Sequence, residues 1–318
     1  MLSFEQARDW LLQRAQPLAA TEQVELLAAA GRVLAEPVLA TLDVPPHDNS
    51  AMDGYALRAA EQTAAMPVSQ RVPAGSVPQA LAAGSVARIF TGAPIPPGAD
   101  AVIMQEQAET ADDGAVSFSQ PASAGQNIRR RGEDIRAGQE ILPAGKVLNP
   151  ADIGLAASIG VETLTVFRPL RVAVFFTGDE LVEPGRPLAA GQIYNSNRYW
   201  LAPALMRLGC EVIDLGIVRD SLGATREALR DAADAADVIM TCGGVSVGEE
   251  DHVKAAVEAE GSLDLWKLAI KPGKPLPTAR WGRLISSVCP ATRCPALSPS
   301  RCWRGASWSG APACRYRR

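Results

Sequence analysis

Apolar residues recur along the chain with two different periods, and the change between them marks out its regions. Near the start Phe4, Ala7, Leu11 and Ala15 fall on one face of a 3.6-residue repeat, which predicts a helix. Ser3 with Gln6 three residues on forms a capping box that opens it, and Pro17 stops it. A strand or two and a short helix are expected next. From Pro45 to about Gly145 short apolar runs are broken by Pro and Gly, as in VPAGSVP, FTGAPIPPGAD and LPAGKVL, which predicts a small, mostly β domain. Helical periodicity returns from Asn149 to Gly160, so the β region reads as an insertion into a discontinuous first domain.

From Arg171 the pattern is regular. RVAVFF is a buried strand, Arg198 to Leu208 a helix, CEVIDLGIV a strand, Thr225 to Ala236 a helix and DVIMTC another strand. This βαβαβ order predicts a parallel sheet covered by helices, with ligand-binding loops gathered at one sheet edge. The loops at that edge carry TGDE (Thr177 to Glu180), Asp220 and CGGVSVGEED (Cys242 to Asp251).

Composition supports the α/β reading: 47% of the 318 residues are apolar but only 5% are aromatic, so the core is built from Ala, Val, Leu and Ile. That length favours two or three domains. No apolar stretch is long enough to span a membrane and MLSFEQARDW lacks the features of a signal peptide, so a cytoplasmic protein is expected. The net charge of −4 hides a split. Beyond Asp264 there are eleven Lys and Arg and no acid, leaving 20 basic against 35 acidic residues up to and including it. An acidic body argues against nucleic acid as a partner. Cys289, Cys294, Cys302 and Cys314 crowd the end, Cys210 and Cys242 stand apart, and the only histidines are His47 and His252; no zinc pattern results.

Several runs carry chemistry. Gly243, Gly244, Val245, Ser246, Val247 and Gly248 lie between a strand and a predicted helix, where bare backbone N–H groups cradle an anion such as phosphate. A tight strand-to-helix turn explains the glycines equally well, but the neighbouring Glu249, Glu250 and Asp251 suit such a site only with a divalent cation between, which suggests Mg²⁺. WKLAIKPGKP places Lys267, Lys271 and Lys274 around a stiff bend, either a solvated basic turn or a polyanion site. NIRRRGED sets Arg129, Arg130 and Arg131 before Glu133 and Asp134, either a surface ion-pair cluster or an anion site. DNSAMDGYA holds Asp48, Asn49, Ser50 and Asp53 in a polar turn ahead of an apparent helix, as caps, cation ligands or an acid–base pair.

Seven motifs in order, over about 280 residues, resemble one family: residues 48–56, 90–106, 125–135, 176–181 (FTGDEL), 191–197 (GQIYNSN), 242–254 and 266–275. They are similar to the motif series of the molybdopterin molybdenumtransferases, the MoeA and gephyrin E-domain family. The resemblance implies insertion of molybdenum from molybdate into adenylylated molybdopterin with release of AMP, by a Mg²⁺-dependent homodimer whose site is shared between subunits. It implies a multidomain α/β protein. A discontinuous N-terminal α+β domain would span 1–44 and 145–170, and an inserted β-rich lid 45–144. A MogA-like three-layer α/β domain with a mostly parallel sheet would span 171–284. By motif, Asp53, Thr91, Arg129 and Asp134 would lie on the lid side. Glu180, Asp220, Asp251, Lys267 and Lys271 would face phosphates, metal and molybdate from the other, with Glu180, Asp220 and Asp251 as metal ligands. Gly243, Gly244, Ser246 and Lys274 would bind substrate beside them, and a MogA-like adenylyltransferase would be a partner. Two other readings share these features: a non-catalytic scaffold of the same fold, and a Mg²⁺-dependent nucleotidyl or phosphoryl transferase.

The chain departs from the family at its end. Where the family continues with a strand and Gly-Leu-Pro-Gly-Asn-Pro-Val-Ser, this sequence reads ISSVCPATRCPALSPSRCWRG. Codons for Ser286 to Pro295 can be chosen so that, read two bases later, they give Phe-Gly-Leu-Pro-Gly-Asn-Pro-Val-Ser. The expectation is a frameshift near Leu284 to Ser286, with residues 285–318 as a disordered out-of-frame tail, the family's C-terminal β domain missing and activity impaired.

Overall fold

The computed structural model describes residues 3–15, 17–243, 252–260, 262–264, 278–281 and 284–289. The first helix, α1 (Phe4–Arg14), opens on the expected capping box: the Ser3 hydroxyl accepts from the Gln6 N–H while Gln6 accepts from the Ser3 N–H. Next come β1 (Thr21–Glu25) and β2 (Val38–Leu39). The chain then leaves through Val44 and returns at Ile135, where the two backbones pair: the Val44 N–H donates to Ile135 (2.8 Å) and the Ile135 N–H to Val44 (3.1 Å).

Between those crossings lie eight strands, β3 (Asn49–Ser50), β4 (Gly54–Leu57), β5 (Val68–Val72), β6 (Val86–Ile89), β7 (Ala101–Met104), β8 (Ala108–Thr110), β9 (Val116–Phe118) and β10 (Ile128–Arg129). Four of them form a sheet in the order β5-β6-β4-β7, with β4 antiparallel to both neighbours and β5 parallel to β6. One face buries Ala56, Val72, Ala87, Ile89 and Val102, and the other Leu57, Met66, Val86 and Ile103. The apparent helix after Asp53 is therefore a central strand, which corrects the sequence reading. Gly54 explains it: a Cβ there would sit 1.9 Å from the Ile103 carbonyl oxygen, so strand pairing overrides the helical propensity of the alanines that follow.

After the return come β11 (Glu140–Leu142), α2 (Pro150–Ser158) and β12 (Thr163–Phe167). β12 pairs antiparallel with β1 and β11 with β2, so both segments of the first unit share two sheets. They also share a core of Leu34, Ile135, Leu142, Leu148, Ile159, Leu164 and Val166. Ile135 and Leu142 pack in this core, so the second segment joins it before residue 145. Asn149 caps α2 by accepting from the N–H groups of Ala151 and Asp152.

The third unit begins with β13 (Arg171–Thr177), followed by β14 (Leu181–Val182), β15 (Ile193–Tyr194), α3 (Ser196–Arg207), β16 (Glu211–Val218), α4 (Leu222–Ala235) and β17 (Val238–Cys242). Beyond them lie α5 (His252–Glu260), β18 (Ser262–Asp264), β19 (Thr278–Trp281) and β20 (Leu284–Cys289). The sheet order is β16-β13-β17-β20-β19-β18, parallel through β20 and antiparallel from there. Phe175 and Phe176 point to opposite faces, Phe175 into a cluster with Leu229 and Val253 and Phe176 into one with Leu201 and Leu205. This is the three-layer α/β arrangement that the βαβαβ order predicts. β20 carries the sheet to Cys289, past residue 284, where the sequence reading sets the end of ordered structure. A parallel strand is held through its backbone ladder, and Ile285 and Val288 are β-branched, so this short run meets the requirement without a regular apolar period. Residues 290–318 lie outside the described residues.

The first and third units meet at Arg168, whose guanidinium forks onto Asp237 at 2.7 and 2.5 Å. The Arg171 N–H adds a third bond to the same carboxylate at 2.8 Å. No helix among the described residues is long and apolar enough to cross a membrane.

Candidate functional site

On the lid, β3 acts as a strut between two loops. It pairs with β10 on one side, Asn49 opposite Arg129, while Ser50 exchanges backbone hydrogen bonds with Gly92 and Ala93 on the other, both at 2.9 Å. The buried Ser50 hydroxyl donates to the Met52 carbonyl at 2.6 Å, which turns the chain so that Asp53 faces the loop after β6. There the Asp53 carboxylate accepts from the Thr91 N–H at 2.7 Å and from the Thr91 hydroxyl at 2.8 Å. Those two donors, in that order, hold its pKa below the ordinary carboxylate value, and the Arg88 charge adds to them. Asp53 and Thr91 thus form one unit, rather than a helix cap.

Arg129 and Asp134 form a second. One guanidinium nitrogen, Nη2, donates to both carboxylate oxygens at 2.6 and 2.5 Å, a charge-assisted contact that raises the arginine's pKa. Beside it, Arg130 donates to Asp48 at 2.6 Å and Arg131 to Asp43 at 2.6 Å. Backbone donors settle these acids further: the Arg131 N–H on Asp48 and the Ala137 N–H on Asp43 are the first causes of their lowered pKa values. Asp43 was not singled out from sequence, since its partners lie 88 and 94 residues away.

At the C-terminal edge of the large sheet, the register sets Thr177 beside Val218 and Phe176 beside Cys242, so the loops after β13, β16 and β17 converge. Gly243 has φ +115°, and a Cβ there would lie 2.5 Å from the Thr177 hydroxyl and 2.7 Å from its carbonyl oxygen. Only glycine fits. Gly178, at φ +145°, lies under Glu180, whose carboxylate oxygens would come within 2.5 and 2.9 Å of a Cβ. The Asp220 N–H donates to Asp179 at 3.3 Å, which ties the second loop to the first. Glu180, Asp220 and Gly243 are thereby gathered at one edge. The buried hydroxyls of Thr177 and Thr241 have no hydrogen-bond partner there among the described residues. Asp179, Thr177 and Thr241 were not assigned roles from sequence, although the TGDE run holds the first two of the three side chains' neighbourhood in plain view. Gly244, Ser246, Asp251, Lys267, Lys271 and Lys274 lie outside the described residues. Among the described residues no cluster of three or more His, Cys, Asp or Glu is placed to hold a metal.

Two family models match the chain: "MoeA N-terminal region (domain I and II)" over residues 2–160 and "Probable molybdopterin binding domain" over 173–297. A molybdopterin molybdenumtransferase of Haemophilus influenzae is 45% identical over 278 residues, covering 86% of this chain and 69% of that protein. The chain belongs to the molybdopterin molybdenumtransferase family. A second relative of the same name, from Nostoc, is 42% identical over 81% of this chain and 61% of its own length. The chain thus spans between three fifths and seven tenths of these relatives. The solved structure of the molybdopterin biosynthesis MoeA protein from Pyrococcus horikoshii superposes with a TM-score of 0.80 at 31% identity, covering 92% of this chain and 75% of that one. Membership indicates molybdenum cofactor biosynthesis, and the fold is MoeA-like.

Proposed function

We propose that the chain inserts molybdenum from molybdate into adenylylated molybdopterin and releases AMP, as a Mg²⁺-dependent cytoplasmic homodimer in which one subunit's lid meets the other's α/β unit. Family membership supports the reaction class. The observation that supports the site is the sheet edge, where Gly243 packs closely on Thr177 and two carboxylate-bearing loops stand beside it. Bare N–H groups and lysines suit phosphate and molybdate, and carboxylates suit the cation that separates such anions.

Glu180 and Asp220 fit a Mg²⁺ held by one or two carboxylates with the rest of its shell from water and phosphate, and Asp251 is the expected third ligand. Bound there, the ion would neutralise phosphate charge. Lys267 and Lys271 would hold the anions, with Gly244, Ser246 and Lys274 on the phosphates. On the lid side, Asp53, kept ionised by Thr91, would accept a proton, and the Arg129–Asp134 pair would orient an anionic group. A MogA-like adenylyltransferase would supply the substrate. The frameshift reading adds that the chain as written turns over poorly and that a frame-restored chain recovers activity.

The test is AMP release and cofactor formation from adenylylated molybdopterin and molybdate, with and without Mg²⁺, in the frame-restored protein. Glu180→Gln and Asp53→Asn should each lower turnover by about a hundredfold while substrate still binds. Parental turnover in both would remove these carboxylates from the mechanism.

A further inference from the structure

Beside the cluster of Leu57, Val86 and Ile103, the same face of the lid sheet carries a row of cations and aromatic rings. In the parallel register of β5 and β6, Arg71 lies directly beside Arg88, and across β6 Arg88 lies beside Tyr55 of β4. Partners in register share a face, so two cations and an aromatic ring form one row. Both guanidiniums rest on the Phe90 ring, Arg71 at 4.5 Å and Arg88 at 4.8 Å from its centroid, and Arg88 also sits 5.1 Å from that of Tyr55. Arg88 is anchored, donating to the Gly54 carbonyl at 3.1 Å and to the Gln105 side chain. Arg71 is exposed and has no hydrogen-bond acceptor or carboxylate partner among the described residues.

Like charges directly opposite each other on a sheet destabilise it. Here the two cations lie within ~10 Å of each other, about one Debye length at 0.1 M salt, so their repulsion is only partly screened. In contrast, Arg129, Arg130 and Arg131 each have an acid. Among the described residues Arg88 is anchored and feels only the Asp53 charge, while Arg71 has no acid and presents all its donors. Two cations stacked on one ring in this way have the chemistry of a docking point for a doubly charged oxyanion. Phe90 immediately precedes Thr91, so the row adjoins the Asp53 loop.

The geometry points to Arg71 and Arg88, stacked on Phe90, as a phosphate-docking subsite that engages a phosphate group of the substrate outside the reacting centre. This rests on the reading of the lid as one wall of the substrate site. Inorganic phosphate, titrated at ionic strength held constant with chloride, should shift the Arg71 Nε–H resonance saturably and raise the melting temperature. Arg71→Gln should lose both responses, and in phosphate-free low salt it should melt no lower than the parent because one of two repelling charges is gone. In the insertion assay the same variant should raise KM for adenylylated molybdopterin about tenfold with kcat within about twofold, the pattern of lost uniform binding. AMP in place of phosphate tests whether a phosphate ester is accepted. An unsaturable response, one equalled by chloride, or one retained in Arg71→Gln would overturn the subsite. A phosphate response with unchanged KM would overturn its assignment to substrate. A chain that binds phosphate at Arg71 yet inserts no molybdenum would sink the functional reading and leave the subsite standing.

Discussion

The lid and the α/β unit treat their polar groups in opposite ways. On the lid, Asp43, Asp48, Asp53 and Asp134 each accept from protein donors, and three arginines are spent on carboxylates. At the edge of the large sheet, the Thr177 and Thr241 hydroxyls are buried without a partner among the described residues. Buried polar groups left unmatched cost stability, and a structure keeps them where function or a ligand compensates. The acids of the lid are therefore matched within the protein, while the α/β edge buries two hydroxyls that the described residues leave unmatched.

The most drastic way to break the comparison is to attack the close approaches that shape each region. Gly54→Ala forces a Cβ against a backbone oxygen in a central lid strand. It should cost roughly 4 kcal/mol or more, read as loss of hydrogen-exchange protection over 101–104. A loss under ~0.5 kcal/mol would mean β4 and β7 do not pack as described. Gly243→Ala meets the Thr177 carbonyl at a φ that disfavours side chains, and should cost about 2–3 kcal/mol in denaturant unfolding. Its effect should be confined to the third unit; equal loss of protection in the lid would show that the two regions are not separate.

Arg168→Ala removes a partly exposed bidentate pair and should lower stability by roughly 1 kcal/mol after screening. The joint also gives a pH signature. Asp237 has its pKa depressed, first by the hydrogen bonds from Arg168, so its contribution is present above the unfolded carboxylate value and lost as pH falls through the folded one. The stability gap between parent and Asp237→Asn should thus close as pH drops below about 4. A gap that widens on acidification would contradict the pairing. The smallest effect belongs to the exposed Arg130–Asp48 pair: Arg130→Ala should change stability by no more than ~0.5 kcal/mol. A larger loss would mean that the lid arginines do more than sit on their acids.

The α/β unit is the more legible region, because β13 and β17 are apolar on both faces and β16 is followed by the capped amphipathic helix α4. β4 reads as a helix in the sequence because the alanines after Gly54 favour one locally, and only contact with Ile103 reveals the strand. β20 extends past the expected end because strand pairing asks more of the backbone than of the side-chain pattern. At the site, residue types were readable but groupings were not. Asp53 and Thr91 are 38 positions apart, and Asp43 and Arg131 are 88. Arg71 meets Arg88 only through a parallel pairing of two neighbouring lid strands, a topology that their short, Pro-broken runs do not announce.

The crossing at Val44 and Ile135 has a consequence for inheritance. Because the insert departs and re-enters through one pair of bonded backbones, its ends are neighbours, and the host core closes around them whatever lies between. A segment mounted in this way can be lengthened, exchanged or recombined between relatives as a cassette, with the seam confined to a few residues. Selection can then remodel what the cassette recognises without renegotiating the fold that carries it.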